Sequence, residues 1–215
     1  MSNGNLIFLH AQTSIHPGSG SSLGVVDLPV MRERHTQWPI IPSSSLKGVL
    51  RDRAREKAME NHGNSRKKAN DQDGFILAAF GPSNIDESSG FAGSIAFTDA
   101  RILLYPVRSM KGVFSWVTCP SVLQRFNRDL SIVGQSEIKI PFVTANKALV
   151  TSLNTPLMVK DKLVLEEFDF RIEGGFCEEQ ASFISDTIFV DEYSKEKCKS
   201  NMVILNDDDF THFVK

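Results

Sequence analysis

No stretch of the chain approaches the roughly eighteen consecutive apolar residues that a membrane-crossing helix requires. The opening MSNGNLIFLH is too short and too weakly charged to act as a secretory signal, so a cytoplasmic protein is expected. Cysteine is scarce. Cys119, Cys177 and Cys198 are odd in number, scattered and free of any C-x-x-C pairing. That pattern supports neither a disulfide framework nor a zinc module, and implies reduced, structural thiols. The phosphate-loop lysine is missing, and Gly18, Gly20 and Gly24 are spaced G-x-G-x-x-x-G, one residue off the dinucleotide fingerprint, with no helix directly after. There is no Ser-His-Asp or Cys-His set, and no second acid stands by Asp27 at the spacing of a two-metal nuclease centre.

What is present is ordinary globular material: 215 residues, 41% apolar, enough for one sizeable domain or two small ones. The net charge of −2 conceals an uneven distribution. Residues 1–68 carry +5, residues 69–160 carry +1 and residues 161–215 carry −8. A basic N-terminal part joined to an acidic C-terminal part suits a polyanion on one face and a partner, another copy included, on the other. Two solvated surfaces would give the same numbers.

Periodicity places the elements. Leu6 to Leu9 reads as a strand feeding the turn-rich HPGSGSS. In PSSSLKGVLRDRAREKAMENHG, Ser44 or Ser45 can cap a helix whose Leu46, Val49, Leu50, Ala54 and Ala58 recur at helical spacing, with Gly63 as its end. Lys47, Arg51 and Arg55 form a basic stripe on that helix, although Asp52 and Glu56 can neutralise the same face. Residues 60–74, with the cluster Arg66-Lys67-Lys68, read as a flexible loop. Three strands are expected near 94–98, 101–105 and 113–118, and a helix from Pro120 and Ser121 to about Gly134. After an irregular stretch over 135–160, KLVLEEFDFRIEGG reads as the longest strand. A weaker helix over Glu178 to Phe189, a strand over Met202 to Leu205 and a capped helix in NDDDFTHFVK close the chain. This order favours an α+β fold of the ferredoxin-like (RRM-like) kind.

The stretch HPGSGSSLGVVDLPVMRERH concentrates the chemistry. Gly18 and Gly20 let the backbone bend sharply and approach a ligand closely. Pro29 favours extended backbone before it and so displays Asp27, unless that carboxylate salt-bridges one of the arginines that follow. Arg32 and Arg34 can grip phosphates as forks. RNA carries its own nucleophile: a splayed nucleotide with its 2′-hydroxyl in line with the phosphate needs mainly positioning. Asp27 can then serve as base, or help hold one hydrated Mg²⁺ against the phosphate. His16 and His35 are candidates to assist proton transfer, or bystanders on a loop. The helix opening at Ser43-Ser44-Ser45, with Lys47 and Arg51 further in, offers backbone N–H groups and the positive dipole end to an RNA phosphate.

The block HPGSGSSLGVVDLPVMRERHTQWPIIPSSSLKGVLR resembles the N-terminal signature of the RAMP superfamily, specifically its backbone subunits of type III-B CRISPR (Cmr) effector complexes. GSIAFTDARILLYPVRSMKGVFSWVTCPSVLQRFNRDL resembles the family's second block and KLVLEEFDF its third; the family's usual C-terminal part is not evident before Lys215. The resemblance implies a single RAMP domain over residues 1–215, with a ferredoxin-like palm carrying finger and thumb insertions. It implies copies stacked as a filament on CRISPR guide RNA with other effector subunits, and cleavage of complementary target RNA at regular intervals by metal-dependent 2′-hydroxyl attack, the metal being Mg²⁺ or Mn²⁺. The family's catalytic aspartate maps onto Asp27, and its guide-phosphate helix start onto Ser44, Ser45, Lys47, Gly48 and Arg51. A structural subunit that coats guide RNA without cutting is the alternative.

Overall fold

The structure is a computed structural model that describes residues 4–18, 29–82 and 90–215. It divides into two units: Met1–Ile15, Arg34–Trp38 and Ile102–Lys215 form one, and His16–Glu33 with Pro39–Arg101 the other. The protein is mixed α+β, as the element order leads one to expect.

The larger unit is built on a seven-stranded mixed sheet. Its strands are β3 (Tyr105–Arg108), β4 (Phe114–Thr118), β5 (Lys147–Val150), β6 (Met158–Val159), β7 (Lys162–Leu165), β8 (Phe168–Phe176) and β9 (Met202–Leu205), in the order β3-β4-β9-β5-β8-β7-β6. Pairing is parallel between β4 and β9 and between β5 and β8, and antiparallel elsewhere. The sheet curls far enough for the tip of the β3–β4 hairpin to meet β7, where Met110 N–H donates to Val164 O (3.0 Å) and Glu166 N–H to Arg108 O (2.9 Å).

Strand β9 shows why the interior holds. All four residues are buried, Val203 and Leu205 in one apolar cluster and Met202 and Ile204 in another on the opposite face. A strand covered on both faces reads as an unbroken apolar run, which MVIL is. Helix α4 (Pro120–Ile132) buries Val122, Leu123, Phe126 and Leu130, the spacing seen in the sequence. Helices α5 (Glu178–Ile188) and α7 (Asp207–Val214) also match expectation, α7 being capped by Asn206, which accepts from Asp209 N–H.

Several expectations are corrected. Residues 6–9 alternate, with Leu6 and Phe8 packed on the core and Ile7 and Leu9 exposed, but they join no ladder among the described residues and so form no strand. KLVLEEFDFRIEGG is a hairpin rather than one strand: β7 turns at Glu166-Glu167 into β8, with Glu166 in the left-handed region (φ 50). A further helix, α6 (Glu192–Asn201), was hidden by its polarity, since it buries only Cys198 and Asn201; Asp191 caps it.

The smaller unit pairs β1 (Ile40–Ile41) with β2 (Ala100–Arg101) and carries α1 (Ser43–Met59), α2 (Arg66–Gln72) and α3 (Gly74–Phe80). The expected loop over 60–74 is a 3₁₀ turn at Glu60–His62 followed by α2. Ser65 and Asp73 cap α2 and α3, and those caps outweigh the charge density that suggested a loop. Near 94–98 there is no strand: Ser94 and Ile95 N–H donate to Ala78 and Ala79 of α3 instead. The other two expected strands fall at β3, a few residues later than 101–105, and at β4.

The three cysteines are free and fully buried. Burial pushes the Cys177 and Cys198 thiols up to about 12 and raises Cys119 as well. Because the thiolate is the nucleophile, the native protein at pH 8 is expected to resist alkylation by iodoacetamide, and unfolded protein to take up the label at all three. Rapid labelling of native protein, read by mass spectrometry, would contradict this.

Candidate nucleic-acid interface

Helix α1 begins differently from the sequence expectation. Pro42 is the N-cap, and Ser44 and Ser45 stand exposed in the first turn without capping through their side chains. Leu46 N–H closes the first helical bond on Pro42 O (3.1 Å). Ser43 N–H donates to the Asp99 carboxylate (2.7 Å), an acid placed where the helix dipole favours it. Nothing in FTDAR signalled that cap. The amides of Ser44 and Ser45 have no acceptor among the described residues and remain available to an anion.

The basic stripe is divided by its neighbours. Lys47 is half-buried and has no acidic partner among the described residues. Arg51 leans on α2, its Nε donating to Asn70 Oδ1 (3.2 Å) while its Nη2 is buried without a partner. Arg55 binds Asp52, which Arg66 also reaches at 2.8 Å; the Arg55 hydrogen bond, with Arg66 adding, lowers the Asp52 pKa. Arg53 pairs with Glu56 at 2.9 Å. The intrahelical neutralisation that Asp52 and Glu56 allowed therefore occurs, and Lys47 is left with no acidic partner among the described residues. Gly48 is exposed, and a Cβ there would meet nothing within 4 Å.

Asp27 and Gly20 lie outside the described residues. The ends of the segment that carries them are held together: Gly18 bridges Val30, and Met31 N–H donates to Pro17 O (2.8 Å). Arg32 then bridges Pro39, Ile40 N–H donates to Met31 O (3.0 Å), and β1 runs straight into Pro42 and α1. His16, Gly18, Arg32 and the α1 start thus share one unit, with His16 exposed.

Arg34 and His35 belong to the other unit, in an exposed turn. His35 Nε2 lies 3.3 Å from Arg125 Nη2, and because a guanidinium only donates, that imidazole nitrogen accepts. The Arg125 guanidinium sits 4.9 Å over the Trp38 ring, and the Trp38 indole N–H donates to Thr211 Oγ1 (3.0 Å). This clamp on His35 left no mark in the sequence, where Arg125 read as one more helix residue. Among the described residues, no group of three or more His, Cys, Asp or Glu is placed to hold a metal ion, and no helix is long and apolar enough to cross a membrane.

The seven-stranded mixed sheet of one unit and the helices of the other make this an α+β chain. The chain belongs to the RAMP superfamily, whose model matches residues 8–210. It is 38% identical to the CRISPR system Cmr endoribonuclease Cmr4 of Pyrococcus furiosus, over 98% of this chain and 67% of that protein. The crystal structure of oligomeric Cmr4 from Pyrococcus furiosus superposes with a TM-score of 0.68 at 33% identity, covering 93% of this chain and 67% of the other. The cryo-EM structure of type III-B Cmr-beta in its apo state shares the fold, with a TM-score of 0.57 at 21% identity over 95% of this chain and 66% of the other.

Proposed function

We propose that this protein is a backbone subunit of an RNA-guided type III-B effector in the cytoplasm, where it binds CRISPR guide RNA and cuts complementary target RNA. The observation that carries this reading is its 38% identity, over 98% of the chain, to a protein named a Cmr endoribonuclease. Likeness to a crystal structure described as oligomeric Cmr4 supports association with further copies of itself, in a filament with other effector subunits. In the finer architecture, the sheet unit is a ferredoxin-like palm and the helical unit an inserted finger element.

Guide phosphates lie against the start of α1, on the amides and hydroxyls of Ser44 and Ser45 and on Lys47, with the backbone passing close over Gly48. Arg51 supports that surface from its place against Asn70. Gly18 and Gly20 allow close approach to RNA, and Arg32 and Arg34 supply further phosphate contacts. Sequence is read by base pairing with the guide, the protein contacting backbone and shape.

At each cut, the target's 2′-hydroxyl attacks the adjacent phosphorus, its proton passes to the Asp27 carboxylate, and the bond to the 5′-oxygen breaks. The products are a 2′,3′-cyclic phosphate and a 5′-hydroxyl that takes up a proton, with His16 or His35 as candidate proton carriers. In the alternative role Asp27 would instead help hold a hydrated divalent ion, Mg²⁺ or Mn²⁺, which would supply charge neutralisation on the phosphate.

Gly48 tests the guide-binding half of this reading. Gly48→Ala should stabilise α1 by about 0.5–1 kcal/mol in a thermal melt through helix propensity alone. In a filter-binding titration the same variant should bind guide RNA more weakly, because the new methyl occupies the space of the RNA backbone. Unchanged RNA affinity in a more stable variant would remove α1 from the interface.

A further inference from the structure

The cluster Arg66-Lys67-Lys68 is not used by the site above, and its placement on a helix rather than a loop gives it a fixed shape. On α2, Ala69 and Asn70 are buried, Asn70 accepts from Arg51 of α1, and Arg66 reaches across to Asp52. That inward set leaves Lys67, Lys68 and Asp71 on the outer side, all exposed.

The acids of the three helices are already engaged. Asp52 holds Arg55 and Arg66, and Glu56 holds Arg53. Asp71 accepts from the Asn70 amide at 2.8 Å, and Asp73 caps α3 while contacting His62 at 3.3 Å. Lys67 and Lys68 have no acidic partner among the described residues. Three residues past the end of α2, Phe75 is 65% exposed. Adjacent unpaired lysines followed by an exposed aromatic ring match what single strands use: cations for the phosphates and a ring for a base to stack on. An acidic protein surface would have use for the lysines but no need of the ring.

We infer that the exposed Lys67 and Lys68 of α2 and the exposed Phe75 ring at the start of α3 form a second RNA contact, taking a single-stranded segment separate from the one at the start of α1. This rests on the RNA-binding reading above. The test uses the full chain and a labelled single-stranded RNA titrated at several salt concentrations. Lys67→Glu/Lys68→Glu should weaken binding at least tenfold and reduce the salt slope by about 1.4, near 0.7 for each phosphate no longer neutralised. Phe75→Ala should weaken binding about 5- to 150-fold with the slope unchanged, and Phe75→Tyr should restore it. Melting curves matching wild type are expected for the lysine variant, whose side chains are exposed.

Wild-type affinity and slope in both variants would overturn the inference while leaving the α1 interface standing. Weaker binding with the lysine variant but wild-type binding with Phe75→Ala would also overturn it, in favour of a general polyanion or an acidic protein surface. Failure of the wild-type chain to bind RNA at all would instead overturn the RNA reading itself.

Discussion

Replacing Asp27 by alanine is expected to lower target-RNA cleavage by about 10²- to 10⁴-fold, the usual contribution of a positioned acid–base group, while guide binding and assembly persist. The expectation follows from the family resemblance, which maps the catalytic aspartate onto Asp27. The structure adds that the loop's ends are held by the Gly18–Val30 bridge, a short distance along the chain from α1. Cleavage of end-labelled target by reconstituted effector, alongside size-exclusion of the complex, measures both halves. A cutting Asp27→Ala variant would leave the chain as a non-catalytic scaffold on the guide.

The second large effect is structural. Asn127 is buried on α4, and its side-chain amide bonds both backbone groups of Ile138, donating to the carbonyl (2.7 Å) and accepting from the N–H (2.9 Å). It acts as a piece of strand for a segment that belongs to no ladder among the described residues. Asn127→Ala leaves two buried backbone groups unmet, at about 1–3 kcal/mol each. A loss of about 3 kcal/mol corresponds to a Tm lower by roughly 6–12 °C for a chain of this size. Calorimetry showing a shift of a degree or less would mean that water takes over both bonds.

Elements with a strong local signature were legible in the sequence. Helix α4 announced its buried face through Val122, Leu123, Phe126 and Leu130, and β9 through four consecutive apolar residues. Polar elements were not. Helices α2 and α6 bury two residues each and depend on a capping Ser65 or Asp191, a signal easily outvoted by the lysines around it. The β7–β8 turn was missed because Glu166 and Glu167 are unusual turn residues, and Glu166 adopts a conformation that favours glycine.

The candidate site divides in the same way. The basic character of α1 was visible from spacing, whereas the Asp99 carboxylate that accepts from Ser43 N–H and the Asn70 brace on Arg51 come from distant positions that no periodicity connects. His35 was singled out as a candidate to assist proton transfer or a loop bystander, and the contact of its Nε2 with Arg125, itself over Trp38, had no signal in the sequence.

The central claim is that this chain cuts RNA where a guide directs it. The most direct measurement gives effector reconstituted with the wild-type chain one target RNA and two guides offset along it, with Mg²⁺ present or chelated. The account predicts evenly stepped products ending in 2′,3′-cyclic phosphate, displaced by the offset between the guides and lost on chelation. Intact target in a fully assembled complex, or cuts that stay in place when the guide moves, would contradict it.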